Sequence, residues 1–235
     1  MKLFFKKILR VIVKSAIYVY CKIVYRAEII GKENIPANEP LIFCGNHRNY
    51  LDPPLMVATV GRHIRFMAKE ELRKNPFFAF LGVVFDGIYV KRDSKDVSAL
   101  KTTLKALKNG ESIALFPEGT RNGIEKGEKV KDGAAFFALR TGTIIIPVGI
   151  SGGLKKFEKV KIVYGKPIDL SKYNEMYKNK STEKQALDEA NIKAVLTRET
   201  DISLSDNKID DLKKRAAKSA ENNAKGRLNG RHSWR

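Results

Sequence analysis

A histidine and an aspartate that could act together as a catalytic pair follow a short apolar run. The run covers residues 41–44, and His47 and Asp52 lie in the segment after it. The two side chains would point to different sides of a regular helix, but they can converge where a strand turns into a helix. The Asp-Pro-Pro sequence that begins at Asp52 predicts such a turn, because proline suits the first turn of a helix.

The chemistry that such a pair supports is general-base catalysis. A carboxylate bound to one ring nitrogen of His47 fixes the tautomer and leaves the other nitrogen as a base. Residues 46–52 contain no serine, so the simplest reaction is attack by a substrate hydroxyl that His47 deprotonates. Taken alone, the pair is also compatible with a loop histidine beside an Asp52 that only caps the helix, and caps are the more common arrangement.

A segment with phosphate-binding residue types follows a later apolar run. Residues 116–121, Phe-Pro-Glu-Gly-Thr-Arg, come at the end of the run 113–116. Ligands of α/β sheets bind at the carboxyl ends of strands, and the guanidinium of Arg121 has a fork that matches phosphate oxygens. Taken alone, the segment could equally be a turn with an internal Glu118–Arg121 ion pair.

Two further segments look like strands. Residues 87–92 end in Lys91 and Arg92, which could be a second clamp on a phosphate or two solvated cations. Residues 144–150 form a continuous apolar run that indicates a core strand. Pro147 within that run predicts an edge position or a local break in strand pairing.

Strand-like and helical patterns alternate through most of the chain, which predicts an α/β domain. Strands are predicted over residues 25–30, 41–44, 64–68, 88–90, 113–116, 144–150 and 160–164. Helices are predicted over residues 53–60 and 75–84, through residues 97–107 with an end near Asn109-Gly110, and over residues 133–140. Asp52 is the expected N-cap of the first of these helices, and Asp93 or Ser94 that of the third.

The charge balance and the cysteine content limit the partners and the compartment. The 45 Lys and Arg residues against 26 Asp and Glu give a net charge of +19, which favours anionic bilayers, phosphorylated substrates or nucleic acid as partners. Only two cysteines, Cys21 and Cys44, occur, without the spacing of a disulfide framework or a metal site, and this favours a reducing compartment.

The first 24 residues predict an amphipathic helix. Lys2, Lys6, Arg10 and Lys14 recur every four residues and form one stripe, while most of the large apolar residues lie away from it. The longest charge-free run, 15–21, is too short to span a bilayer, and no signal-peptide pattern is clear. The pattern favours a helix that lies in the membrane interface; the alternative is a helix that packs on the protein with its basic face in solvent.

Taken together and in this order, the four segments resemble the glycerolipid acyltransferase family, in particular its lysophosphatidic acid acyltransferase branch. The block from Asn46-His47 to Asp52 is similar to the first family motif, residues 87–92 to the second, residues 116–121 to the third and Ile146-Pro147-Val148 to the fourth. Residues 67–72 and the pattern Lys131-x-Gly133 also look like family segments. The resemblance covers roughly residues 25–170, with Gly45 where serine or alanine is common in the family.

The resemblance implies an α/β fold: a single glycerolipid-acyltransferase-like domain with a central mixed β-sheet flanked by helices, plus the N-terminal amphipathic helix at the membrane interface. The expected divisions are residues 1–24 for that helix, 25–175 for the catalytic domain and 176–235 for a basic extension that is weakly helical or mobile.

The same resemblance implies the reaction and its participants. A fatty acyl group would pass from an acyl thioester, carried by coenzyme A or acyl carrier protein as cosubstrate, to the free hydroxyl of lysophosphatidic acid, giving phosphatidic acid. No metal or other cofactor is expected. The expected partners are an anionic membrane surface, the lysolipid and the acyl carrier. The expected location is the cytoplasmic face of the cell membrane.

Roles for individual residues follow from the matched motifs. His47 would be the base and Asp52 its orienting partner. The residues that would hold the acceptor phosphate are Arg92, Arg121 and Lys69. The residues that would shape the site are Asn46, Gly87, Glu118, Gly119 and Thr120.

Three other interpretations remain open. The same chemistry could act on glycerol 3-phosphate or another lysophospholipid. A thiol enzyme could use Cys44 with His47, although a cysteine in an apolar run is usually an inert packing residue. A basic nucleic-acid-binding protein is the most distant alternative, because no recognition helix, zinc finger or aromatic platform accompanies the charge.

Overall fold

A seven-stranded sheet with helices around it forms the body of the protein, as seen in a computed structural model. The structure describes residues 2–91, 96–119, 121, 132–153, 155–179, 183, 186, 187, 189 and 190, without the side chains of residues 2, 3, 174 and 176. Most of the expected C-terminal extension therefore lies outside the described residues.

The described elements alternate between strands and helices along the chain. The strands are β1 (Glu28–Ile30), β2 (Leu41–Gly45), β3 (Ile64–Lys69), β4 (Ile88–Val90), β5 (Ser112–Leu115), β6 (Ile144–Gly152) and β7 (Val160–Tyr164). The α-helices are α1 (Lys2–Val24), α2 (Asp52–Thr59), α3 (Pro76–Val84), α4 (Val97–Lys108), α5 (Gly133–Thr141) and α6 (Asn174–Lys178). Short 3₁₀ helices cover Lys32–Asn34, Glu70–Lys74 and Ser171–Tyr173.

The sheet is mixed, as expected, and its strand order is β1-β7-β6-β2-β5-β3-β4. Strands β6, β2, β5, β3 and β4 pair in parallel, whereas β7 runs antiparallel to β6 and parallel to β1. The five parallel strands therefore end at the same edge of the sheet. Residues of β2 alternate between two apolar clusters, with Ile42 in one and Leu41 and Phe43 in the other, because the sheet is covered on both faces.

Two helix starts differ from the sequence expectation. Helix α4 is capped by Asp96, whose Oδ1 accepts hydrogen bonds from the backbone N–H groups of Ser98 and Ala99; the cap was expected at Asp93 or Ser94, which lie outside the described residues. Asp52 is the first residue of α2 and does not cap it. Its carboxylate points back into the preceding loop, where it contacts His47 Nδ1 and accepts hydrogen bonds from the backbone N–H groups of Arg48 and Asn49.

Pro147 does not lie at a sheet edge, because β6 is between β7 and β2. The other expectation, a local break in pairing, is confirmed. The antiparallel ladder with β7 stops at Val148↔Tyr164, and pairing resumes only at the isolated bridge Ile145↔Ile168. Pro147, which has no N–H to donate, falls in this gap.

Helix α1 packs on the body through its basic stripe. Lys6 and Arg10 both donate to the carboxylate of Asp86, at 2.6 Å for Arg10 Nη2. Arg10 Nε also donates to the carbonyl of Val84, and Lys14 donates to the carbonyl of Arg62. The alternative expectation, a helix packed on the protein with its basic face in solvent, is therefore wrong about the face. The basic face of α1 binds the protein body, at residues 62, 84 and 86.

The opposite side of α1 is apolar and exposed. Large side chains on this side have exposures of 60 % or more, and they are Phe4, Phe5, Val11, Ile12 and Ile23. Neighbouring α3 adds Phe77, Phe80 and Val83, which are also exposed. Large exposed apolar side chains, where they form a patch, mark a site of interaction with a protein or a membrane. Among the described helices, none is both long enough and apolar enough to cross a membrane.

Asp86 lies beside the N-terminal half of α1, close to Lys6, Arg10 and His63. Burial favours the neutral form of this carboxyl, but the hydrogen bond from Lys6 and the charges of Lys6, Arg10 and His63 together lower its pKa. His63 Nε2 lies 3.6 Å from Asp86 Oδ2. Burial and the charge of Arg10, opposed in part by Asp86 and reinforced by Arg65 and Lys6, lower the pKa of His63 to about 4.

The lowered pKa of His63 predicts a loss of stability in mild acid. In the unfolded chain His63 has a pKa near 6.5, so its contribution is fully present above that pH and is lost as the pH falls towards 4. Between pH 7.5 and 4.5, wild type should lose about 1–2 kcal/mol more unfolding free energy than His63→Phe, allowing for partial solvent screening. Urea unfolding across this range measures the difference, and equal pH slopes in the two proteins would contradict it.

Candidate active site

The sequence segments with candidate chemistry meet at one edge of the sheet. The His47 loop follows β2, residues 116–121 follow β5, Lys69 ends β3, and Lys91 follows β4. These four strands are adjacent in the order β2-β5-β3-β4 and run in parallel. Because parallel strands present their carboxyl ends together, residues from distant parts of the chain line the same edge.

The structure brings His47 and Asp52 into direct contact. His47 Nδ1 lies 2.9 Å from Asp52 Oδ2. The same oxygen accepts hydrogen bonds of 2.6 Å from the backbone N–H groups of Arg48 and Asn49, and Asp52 is 3 % exposed. The carboxylate can only accept, so it favours the tautomer in which Nδ1 carries the proton and Nε2 keeps its lone pair. The pair has the arrangement of a base and its orienting group.

The segment after β5 fixes the other sides of His47. The Phe116 ring stacks on the imidazole with a centroid distance of 4.4 Å and an interplanar angle of 22°. The buried carboxylate of Glu118 accepts a hydrogen bond of 3.2 Å from the backbone N–H of His47. A side chain at Gly45 would lie 3.0 Å from the Phe116 ring, so glycine at this position leaves room for the stack.

Asn46 shapes the site as a backbone bridge. Its side-chain amide donates to the carbonyl of Ile150 at 2.9 Å, and its side-chain oxygen accepts from the N–H of Ile150 at 2.7 Å. These two bonds continue the pairing of β2 with β6 past the end of β2. Arg48 Nη2 adds a bond to the carbonyl of Gly152. The loop of residues 46–51 between β2 and α2, the base loop, is therefore tied to β6 at two points.

Two of the three phosphate-binding candidates, Arg121 and Lys69, lie among the described residues. Arg121 is exposed, and its guanidinium lies 4.0 Å from the centre of the Tyr50 ring. The alternative of a Glu118–Arg121 ion pair is not seen between these two residues. Lys69 is partly buried at the carboxyl end of β3, where it pairs in register with Val90. Arg92 and Thr120 lie outside the described residues.

The two glycines expected to shape the site have local backbone roles. Gly119 has φ +66 and its N–H donates to the carbonyl of Phe116, which makes the tight turn after β5. Gly87 packs against α3: its N–H donates to the carbonyl of Gly82 at 2.7 Å, and a Cβ would lie 3.2 Å from Gly82 Cα. Both positions serve close backbone approach.

An apolar cleft adjoins the base loop on the side of α1. It is a small cleft and is open to solvent. Its lining residues come from α1, the base loop, α2, β6 and β7, and they include Cys21, Leu51, Leu55, Ile150 and Val160. Asp52 also lines it, so the cleft lies directly behind the His47–Asp52 pair.

Cys44 lies within β2 and is fully buried among strand and helix residues. A buried thiol in apolar surroundings is inert rather than nucleophilic. The structure therefore favours a packing role for Cys44 over the thiol mechanism.

The sequence was compared with models of known protein families. The model described as acyltransferase matches residues 26–151, more than half of the 235 residues. The chain belongs to this acyltransferase family. The matched region includes the base loop, β4 and the segment after β5, so the site described above lies inside it.

Several relatives support the assignment. A 1-acyl-sn-glycerol-3-phosphate acyltransferase of Borreliella burgdorferi is 36 % identical over 122 residues, which are 51 % of this chain and 49 % of the relative. One of Bacillus subtilis is 30 % identical over 147 residues, covering 60 % and 73 % of the two chains. The chain thus spans about half the length of the first of these curated relatives.

A solved structure shares the fold. The crystal structure of the 1-acyl-sn-glycerophosphate (LPA) acyltransferase PlsC from Thermotoga maritima matches with a TM-score of 0.59 and 25 % identity, over 87 % of this chain and 85 % of that one. This similarity confirms the expected fold of the family.

Two aromatic residues of this acyltransferase, Phe116 and Tyr50, lie within the motif segments, but the sequence alone indicated no role for them. Phe116 was part of the third motif and Tyr50 part of the first, and the structure places Phe116 on the imidazole and Tyr50 under the Arg121 guanidinium. The available signal was their position, since each aromatic ring lies within five residues of a candidate catalytic or phosphate-binding residue.

Replacing Asp52 by asparagine tests the pair. An amide cannot serve as the charged acceptor for the Nδ1 proton, so Asp52→Asn should lower kcat by about 10²- to 10⁴-fold. Acyl transfer assays with circular dichroism and thermal unfolding measure the effect on a folded protein. Asp169→Asn is the matched control, because Asp169 also accepts from a backbone N–H and a side chain, both of Ser171, away from the loop. A kcat within threefold of wild type would reduce Asp52 to a structural role.

Proposed function

We propose that this acyltransferase is a 1-acyl-sn-glycerol-3-phosphate O-acyltransferase. It transfers a fatty acyl group from an acyl thioester to the free hydroxyl of lysophosphatidic acid and forms phosphatidic acid for phospholipid biosynthesis. The observation that carries the proposal is the 2.9 Å contact of His47 with the buried Asp52, at the sheet edge that also bears Arg121. Relatives with this printed activity support the choice of acceptor.

The geometry of the pair gives His47 both proton-transfer steps. Nε2 takes the proton of the acceptor hydroxyl as its oxygen attacks the thioester carbonyl, and the resulting imidazolium is stabilised by the Asp52 carboxylate. The tetrahedral intermediate then collapses, the carbon–sulfur bond breaks, and the leaving thiolate takes the proton from Nε2. The ester is formed and His47 returns to its neutral state.

The acceptor phosphate is assigned to the cations at the same edge. The guanidinium of Arg121 can bind two phosphate oxygens at once, whereas Lys69 supplies a point charge. Arg92 is proposed as a third contact on the strength of its family motif.

The assay that tests the proposal uses purified wild-type and His47→Ala proteins with lysophosphatidic acid as acceptor. Acyl-coenzyme A and acyl-acyl carrier protein are offered separately, so that the same experiment identifies the donor. Wild type should form phosphatidic acid, and His47→Ala should lose about 10²-fold or more of the rate, since a positioned base contributes at least that much.

Two results would overturn this assignment. Equal rates in wild type and His47→Ala would exclude the base mechanism. Activity with glycerol 3-phosphate or another lysophospholipid but none with lysophosphatidic acid would move the proposal to that acceptor.

We further infer that the exposed sides of α1 and α3 bind an anionic membrane on the cytoplasmic face of the cell. The apolar side of α1 bears Phe4, Phe5, Val11 and Ile12 in solvent-exposed positions, and burying such side chains in lipid is favourable. The net charge of +19 adds attraction to an anionic surface. Acceptor and product are both lipids, so attachment brings the site to its substrates.

Substitution on the apolar side of α1 tests this attachment. The triple variant Phe5→Ser, Ile12→Ser, Val19→Ser removes large exposed apolar groups, and it should weaken binding to vesicles of phosphatidylcholine and phosphatidylglycerol by at least about tenfold. Binding should persist in part at high salt, because Lys6, Arg10 and Lys14 bind the protein body and not the lipid.

The matched control is Val97→Ser, which removes a 52 % exposed apolar side chain of α4 and should leave vesicle binding unchanged. Sedimentation with the vesicles measures each variant. Unchanged binding of the triple variant would place attachment on another surface.

A further inference from the structure

Tyr50 is an exposed aromatic residue that is held on two sides. It lies three positions after His47 in the base loop and is 48 % exposed. The Arg121 guanidinium lies 4.0 Å from its ring centre. The Phe78 ring of α3 lies 5.6 Å from it at an interplanar angle of 36°. Three segments of the chain therefore meet at this exposed ring: the base loop, α3 and the segment after β5.

The contact with Arg121 orients a group that is otherwise flexible. A guanidinium over a ring face gains cation–π attraction, and it keeps its N–H groups directed away from the ring, in the plane of the fork. Arg121 is exposed and makes no ion pair with a described carboxylate. Among the described residues, the fork is therefore held by its face, and no carboxylate is paired with its edge.

The contact with Phe78 holds the ring in place. Phe78 belongs to the first turn of α3. Asn75 caps this turn, because its side-chain oxygen accepts hydrogen bonds from the backbone N–H groups of Phe77 and Phe78. Aromatic pairs at this separation add about 0.5–1.5 kcal/mol beyond area burial. Tyr50 thus has a fixed neighbour on a regular helix, although the residue itself lies in a loop.

We propose that Tyr50 is a positioning residue for the acceptor phosphate: its ring presents the Arg121 fork at a set place relative to His47. The inference rests on the proposed function, in which Arg121 binds the phosphate of lysophosphatidic acid. Because Tyr50 and His47 share one short loop, the same loop sets the positions of the base and of the phosphate clamp. A lysolipid with its phosphate on Arg121 then has its hydroxyl directed to His47.

Steady-state kinetics of Tyr50→Leu and Tyr50→Phe test the role. Leucine removes the ring face, so Tyr50→Leu should raise the KM for lysophosphatidic acid by about 3- to 30-fold and leave the KM for the acyl thioester unchanged. Tyr50→Phe keeps the ring and should stay within twofold of wild type. Tyr50→Leu should also lower the preference for lysophosphatidic acid over monoacylglycerol, which lacks the phosphate.

Arg121→Met and the double variant separate this inference from the proposed function. Arg121→Met should raise the acceptor KM, and adding Tyr50→Leu to it should have little further effect, because the two residues act through one contact. Arg73→Met is the matched control, since Arg73 also lies over a tyrosine, Tyr89, at 4.2 Å; it should leave both KM values unchanged.

Each remaining outcome has a definite meaning. An unchanged acceptor KM in Arg121→Met would refute the assignment of the phosphate to Arg121. With that KM raised, an unchanged acceptor KM in Tyr50→Leu would overturn the role of Tyr50. Equal losses in Tyr50→Phe and Tyr50→Leu would assign the effect to the hydroxyl, and a rise in both KM values would reduce Tyr50 to a folding role; either result overturns the proposal.

Discussion

The buried carboxylate of Asp52 is the interaction on which the active-site loop depends. One of its oxygens accepts from His47 Nδ1 and from the backbone N–H groups of Arg48 and Asn49. A buried charge is tolerated only when it is paired or hydrogen-bonded, so the loop between β2 and α2 has to close around Asp52 before the charge can be accommodated. The closure that accommodates this buried charge is therefore also the closure that orients the imidazole of His47, the proposed base.

The parallel part of the sheet extends this constraint to the neighbouring segments. The segment after β5 reaches the base loop through the Phe116 ring and the Glu118 carboxylate, and the Arg121 guanidinium reaches it through Tyr50. The His47–Asp52 pair and the phosphate-binding candidate Arg121 thus come from two segments that are distant in sequence but follow adjacent strands, β2 and β5. Their relative positions depend on strand register, which is well defined where both faces of a sheet are buried.

The elements were predictable from the sequence because each has a local signal. The apolar runs of β2, β5 and β6 and the proline at the start of α3 are properties of short stretches, and the structure contains these elements within a few residues of their expected bounds. The cap of α4 at Asp96, where Asp93 or Ser94 was expected, was beyond such signals, since several neighbouring residues are good caps.

What sequence reasoning could not supply are contacts between distant segments. The direction of the α1 stripe depends on Asp86, whose carboxylate binds Lys6 and Arg10 from 80 and 76 residues away. The Glu118–Arg121 pair was plausible from spacing alone, but the competing partners, the His47 backbone and the Tyr50 ring, come from another loop. Spacing along the chain identifies possible partners of a charged residue, but the partner it contacts depends on which distant segments the fold brings close to it.

The attachment of α1 along the body has a consequence for kinetics on a bilayer. Lys6 and Arg10 bind Asp86, which directly precedes Gly87 and β4, so the helix is joined to the domain by side-chain contacts as well as by the chain. Under the proposed attachment to a bilayer, the enzyme would sample its acceptor by lateral diffusion within one plane. Its rate would then follow the mole fraction of lysolipid in the surface, and diluting that surface with inert lipid would slow the reaction even when the bulk concentration is constant.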